Sequence, residues 1–278
     1  MPPHADTLAF VGFDSAWTDN PKAPGSITSV RLDSGGAIEF HPPRLVRFAE
    51  ALSTILEIAS SATLTLVALD QPTIVVNTTS MRPVERVVAS PISWIGGGVQ
   101  PSNRGRKGMF CDDSPIWPFL KALGAIEDPI AARTAPAGLH LVEVFPALAL
   151  ASLEPEFFGR KAAPRYNPAR KRTFRLADWA RVGTVLARHF REMGLPQPAE
   201  WCIETARIAA PRKTDQDRLD SIVCLLVALL WRRRPPADTM MIGSLTEGYI
   251  VTPVSKHVRA RISERAAAIG VPCEGFTA

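Results

Sequence analysis

The ten residues from Ile222 to Trp231 carry no polar side chain except the thiol of Cys224. At helical pitch such a run is apolar on every face, and a helix apolar on every face is one buried on every face. It is too short to span a bilayer, so the rest of the chain has to enclose it. Three aspartates precede it in the stretch KTDQDRLDSIVCLLVALLWRRR, residues 213–234: Asp215, Asp217 and Asp220. Thr214-x-x-Asp217 fits a capping box, and acids in a first turn suit the helix dipole. Those effects account for Asp215 and Asp217. Asp220 lies deeper, where the dipole effect has faded, and it stands i,i+3 to Asp217, a like-charge spacing that destabilises a helix. The competing explanation is that Asp217 and Asp220 leave one helix face together to hold something cationic.

With 278 residues the chain can build a sizeable core around that helix. Hydrophobic residues at 46% and charged residues at 21% exclude a disordered protein. The N-terminus MPPHADTLAF lacks the basic and apolar regions of a signal peptide. Cys111, Cys202, Cys224 and Cys273 show no CxxC spacing, which predicts reduced thiols and a cytoplasmic location, with no membrane partner. The net charge of +5 permits a polyanionic partner without requiring one. No pattern specifies an oligomeric state.

Residues 8–17, LAFVGFDSAW, read as a buried strand ending at an acid. A second strand follows at 26–32, then a turn at SGG (34–36) and a third strand, AIEF. Apolar spacing predicts a helix over 44–59. TLTLVALD (63–70) is another buried strand ending at an acid, and 71–138 is irregular, with short helices near 81–89 and 115–123. LHLVEVFP (139–146) is a strand broken by proline, again with an acid near its end. Helices follow at 176–192, 213–234 and 255–269, with TMMIG and GYIVTP as a late hairpin between the last two. Strands first, then alternation with helices, is an α/β pattern. The expectation is one domain over 1–278 with insertions near 80–138 and 155–212.

Asp14, Asp70 and Glu143 each fall at or near the C-terminal end of an apolar strand, the edge where open α/β sheets bind ligands. A strand-terminal acid alone often only begins a turn. Three strands and a buried helix that all deliver carboxylates make a shared site the better account. Two charges about 4 Å apart repel by roughly 4 kcal/mol at an effective dielectric near 20. Such a cluster survives when its acids are partly protonated or hold a cation, and oxygen-only ligands select Mg²⁺ or Mn²⁺.

GFDSAW, ALDQPT, RPVER (82–86), EVFP (143–146) and DRLDSIVCLLVA (217–228) resemble, in order and spacing, the prokaryotic family called domain of unknown function 429. Its members are predicted RNase H-like nucleases. The Asp-x-x-Asp helix opening is also similar to that of the RuvC-type resolvases. The resemblance implies an RNase H-like mixed sheet flanked by helices. It implies that Asp14 is the first-strand metal ligand, with Asp217 and Asp220 the helix acids. Asp70 lies where a further acidic ligand is expected, and Glu143 matches the family's own motif. Ser221 departs from the alanine of many relatives, a small-for-small change.

The activity implied is a divalent-metal-dependent nuclease that hydrolyses DNA or RNA, with Asp14, Asp70, Glu143, Asp217 and Asp220 as catalytic acids. Two ions about 3.5–4 Å apart stabilise the attacking and leaving oxygens of such a displacement. For the substrate, GRKAAPRYNPARKRTFRLA (159–177) supplies Lys161, Arg170, Lys171 and Arg172 with no acid among them. Tyr166 and Phe174 are interleaved as candidate base-stacking rings. Arg104, Arg106 and Lys107 sit on a Gly-flanked loop suited to phosphate. A solvated loop would look the same in either place. HExxH, GxSxG, GxGxxG and GxxxxGK[ST] are all absent. The rival enzyme is a nucleotide-using kinase or ATPase of the actin-like fold, which expects Gly-rich phosphate turns where this chain has SAWTDN and QPT. A third alternative is a catalytically idle nucleic-acid-binding module, which would not keep all the acids.

Overall fold

The computed structural model describes residues 7–33 and 38–274. Its central sheet uses the apolar, β-branched runs found in the sequence: β1 (Leu8–Asp14), β2 (Gly25–Leu32), β3 (Ile38–Val46), β4 (Leu64–Asp70) and β5 (Gly138–Glu143). The order is β3-β2-β1-β4-β5. β1, β2 and β3 pair antiparallel, while β1, β4 and β5 run parallel. Helices flank this mixed sheet, and the fold is RNase H-like, as the sequence predicts. Because β1, β4 and β5 point the same way, their C-terminal acids emerge along one edge.

The predicted helix over 44–59 begins later than its apolar spacing suggests. Arg44–Val46 complete β3, where Leu45 pairs with Ser26, and α1 runs Phe48–Ser60. Leu45 suits a strand as well as a helix. The boundary is set from a distance, because Asp19 Oδ1 accepts the Phe48 amide at 2.9 Å and caps the helix. The SGG turn and Ala37 of AIEF lie outside the described residues.

α2 (Pro83–Trp94) and α3 (Ile116–Leu123) match the two helices expected in the irregular stretch. α4 (Pro129–Ala132) precedes β5. Pro146 does not break a strand but opens α5 (Pro146–Leu153), where its missing N–H costs nothing. α6 (Leu176–Glu192) and α7 (Pro196–Ala206) pack against each other, and α8 is the buried helix, Lys213–Arg233. The hairpin β6 (Thr239–Ser244) and β7 (Gly248–Pro253) and helix α9 (Lys256–Ile269) follow.

α8 lies across β1, β2 and β4, and its residues Ile222–Leu229 are fully enclosed with Phe10, Leu66 and Trp179. The opposite sheet face buries Phe13 against Phe48 and Phe119 under α1 and α3. A third cluster joins α2, α9 and the hairpin. Among the described residues, no helix is long and apolar enough to cross a membrane.

Candidate active site

The site follows from two close approaches. In the parallel ladder Asp14 stands directly opposite Asp70, at the last residues of β1 and β4. Gly12, two residues earlier, lets α8 come down onto β1. A Cβ at Gly12 would lie 2.1 Å from the Ser221 carbonyl oxygen and 2.4 Å from the Leu225 nitrogen. Ser26 and Ser221 hydroxyls meet at 3.1 Å across the same contact. Asp220, the residue before Ser221, is thereby delivered to the sheet edge beside Asp14 and Asp70. The three line one cleft of about 400 Å³ together with Trp17, Tyr166 and Lys213.

The carboxylates feel one another strongly. Burial, then the charges of Asp70, Asp220 and Asp217, hold Asp14 well above the usual carboxylate range. Burial, then Asp220 and Glu143, do the same to Asp70. Burial pushes Asp220 up to about 6, opposed by Lys213 and by hydrogen bonds from Tyr166 and Gln216. The Tyr166 hydroxyl donates to Asp220 Oδ1 at 2.7 Å, and the Gln216 amide donates to Oδ2. Gln216 Oε1 is buried without a partner. Lys213 bonds Asp217 and is half-exposed. Burial pulls the Lys213 ammonium down, but Asp220, Asp217 and Asp14 together outweigh it and leave it above its ordinary value.

The helix start differs from the expected capping box. α8 begins at Lys213, and Asp215 Oδ2 caps it by accepting the Arg212 amide at 2.8 Å. Thr214 is therefore inside the first turn. Asp215 also meets Arg218, and Asp217 sits at the rim with Lys213, so the three acids have three different settings.

Glu143 lines the same cleft but has a partner of its own. It is buried at the end of β5 and takes a two-pronged contact from Arg82, Nη1 to Oε2 at 2.9 Å and Nη2 to Oε1 at 2.5 Å. It also accepts the Thr73 amide at 3.0 Å. Arg82 in turn binds Glu85, whose Oε2 accepts the Ser102 amide. Burial pushes Glu143 up to about 7 with Arg82 pulling against it. This network locks β5 to α2 and to the 71–102 loops. Among the described residues, no group of three or more His, Cys, Asp or Glu side chains is arranged to hold a metal ion as it stands.

The basic candidates divide. Arg170 lines the cleft, as does Arg165, and Lys171 and Arg172 are exposed beside it. Lys161 is exposed with a left-handed backbone, φ 60°, and its amide donates to the Trp94 carbonyl. Arg104 pairs with Asp112 and lies over the Trp117 ring, and neither it nor Arg106 nor Lys107 is in the cleft wall. Tyr166 and Lys213 are cleft side chains whose position the sequence hid. Tyr166 read as a stacking ring, and Lys213 carried no signal of its own.

The model of the family described as Protein of unknown function (DUF429) matches residues 12–238. That span holds every acid of the site and runs to the end of the buried helix. The chain belongs to this family. No curated protein and no solved structure matches it. The DUF429 match thus fixes kinship, while the chemistry has to be argued from the cleft.

Proposed function

We propose that this DUF429 protein is a divalent-metal-dependent nuclease that hydrolyses phosphodiester bonds of DNA or RNA. The observation that carries this reading is the burial of Asp14, Asp70 and Asp220 together, each held above the usual carboxylate range chiefly by burial. A fold bears that cost without return unless the cluster serves a ligand. The donor set is oxygen only and its charge exceeds what Lys213 offsets, which fits Mg²⁺ or Mn²⁺. Asp14, Asp70 and Asp220 would hold the metal, with Asp217 at the rim. When bound, such ions neutralise charge on phosphate oxygens and acidify water.

The chain's own groups have defined tasks around that centre. Tyr166 fixes the Asp220 carboxylate through its hydroxyl hydrogen bond. Arg170, which also lines the cleft, offers a cation to a phosphate that enters it. Arg82 and the Thr73 amide hold Glu143, which also lines the cleft, so Glu143 ties the loop after β4 to α2. A cytoplasmic setting suits the four unpaired cysteines.

The test is hydrolysis of labelled single- and double-stranded DNA and RNA with Mg²⁺, Mn²⁺ or EDTA. The expected result is cleavage with Mn²⁺ or Mg²⁺, none in EDTA, and a loss of at least a hundredfold in Asp70→Asn of unchanged melting temperature, the scale of losing a catalytic contact of a few kcal/mol. No cleavage of any substrate with either metal sinks the reading.

A further inference from the structure

Trp17, the last residue of GFDSAW, is not used by the chemistry above, yet it is held beside it with unusual care. Its backbone has φ 51°, a left-handed conformation that bulky residues rarely adopt, and Asp19 follows with φ 52°. Such strain persists only where the surroundings impose it. Here the indole Nε1 donates to the backbone carbonyl of Asp70 at 3.1 Å. The Trp17 carbonyl accepts from Gln71 at 3.5 Å, and the Phe110 ring meets the indole edge-on with centroids 5.5 Å apart. The ring is thus fixed to the residue that carries a site carboxylate. It remains half-buried, and part of it lines the cleft.

Residues 163–167 and Arg170 supply another part of the cleft lining. The Lys161 and Ala163 amides donate to the Trp94 and Ile95 carbonyls, each at 2.9 Å, and Arg165 Nη1 donates to the Gly96 carbonyl at 3.0 Å. Tyr166, from the same segment, is tied to Asp220. The cleft volume, about 400 Å³, is within the range of small-ligand pockets. The lining combines Asp14, Asp70 and Asp220 with Arg165, Arg170 and the rigid Trp17 indole. That combination suits one nucleotide unit with its phosphate, not a paired duplex.

We infer that the cleft takes an unpaired nucleotide of a single strand, with its base stacked on Trp17 and its phosphate between Arg170 and the carboxylates. The inference rests on the nuclease reading and names its substrate class. An indole accepts any base, so the seat is tolerant of sequence.

The experiment uses the full chain with Mn²⁺ and compares a single-stranded oligothymidylate, a covalently closed dumbbell duplex and thymidine monophosphate as competitor. The single strand should be cut and the dumbbell should resist. Trp17→Ala should raise KM for the single strand by about five- to a hundredfold, the range of one lost base stack, with a smaller change in kcat. Trp17→Phe should stay near the parent while Trp17→Leu follows Ala, which separates stacking from bulk if Trp17→Ala folds poorly. Equal cutting of the dumbbell overturns the substrate class and leaves the nuclease reading standing. An unchanged KM in both Ala and Leu variants overturns the role of Trp17. Inhibition by the monophosphate at concentrations as low as the oligonucleotide's KM assigns the seat to a free nucleotide and overturns the strand reading. If no substrate is cut, the nuclease reading fails and this inference fails with it.

Discussion

At Asp220 the same side chain has hydrogen bonds that a folding role would use and a charge that only a ligand would excuse. Substitution by asparagine separates the two. The side-chain oxygen that Asp220→Asn retains still accepts from the Tyr166 hydroxyl, which meets the native carboxylate at 2.7 Å. The new amide group meets Gln216, whose Oε1 is buried and unpartnered, so a flip of the Gln216 amide restores the second hydrogen bond. What disappears is the charge that presses on Asp14 and Asp70. In EDTA, Asp220→Asn should therefore melt at the parent's temperature or above. With Mn²⁺ the order should reverse, because the parent gains about 2.7 kcal/mol at one hundred times Kd and the variant gains less. Two melting curves for each protein decide it, and equal destabilisation in both buffers would show that Asp220 serves the fold alone. That Asp220 is out of place was legible in the sequence, since neither capping nor the dipole explains it. Its partners were not, because Tyr166 reaches it across 54 residues of chain. For the same reason the partner of Glu143 was hidden, since nothing local reveals an arginine 61 residues away that occupies both its oxygens.

Among the elements, the crossing of α8 over β1 positions the site, and Gly12 permits it. The atoms that a Cβ would strike are the Ser221 carbonyl oxygen and the Leu225 nitrogen, both backbone and neither able to swing aside. Gly12→Ala should force α8 off the sheet and cost about 3 kcal/mol, the upper end of ordinary overpacking. Gly98, which has nothing within 4 Å of its virtual Cβ, provides the control, and Gly98→Ala should leave the urea midpoint unchanged. Similar midpoints for the two variants would mean that the helix can shift without loss. The strands and α8 were readable because each is a continuous apolar run, a signal carried by the segment itself. The start of α1 was not, because its cap comes from Asp19 in another loop. The start of α8 at residue 213 was readable too, but its cap was misassigned: Thr214 and Asp217 have the spacing of a capping box, while Asp215 takes the cap with a 2.8 Å hydrogen bond.

For the whole molecule, the buried acids predict an inverted response to pH. Most proteins lose stability on acidification because paired carboxylates with lowered pKa values must be protonated. Here burial holds Asp14 and Asp70 well above the usual range, Asp220 at about 6 and Glu143 at about 7. Between pH 4 and about 6 the folded chain therefore binds more protons than the unfolded chain. The slope of unfolding free energy with pH has the sign of protons bound unfolded minus protons bound folded, so it is negative there. Stability contributed by these groups is fully present when they are protonated and is lost as pH rises through their folded pKa values. The shift of Asp220 from 3.8 to about 6 alone corresponds to a few kcal/mol. Lys213 does not cancel this, since its pKa lies above the ordinary lysine value and it stays charged throughout. In EDTA, the urea midpoint should rise as pH falls from 7.5 to 5. With Mn²⁺ present the profile should flatten or reverse, because the metal binds the ionised carboxylates and competes with protons for them. A metal-free midpoint that falls on acidification over that range would show that the cluster is ionised and balanced in the resting fold, and the argument that its charge awaits a divalent ion would lose its basis.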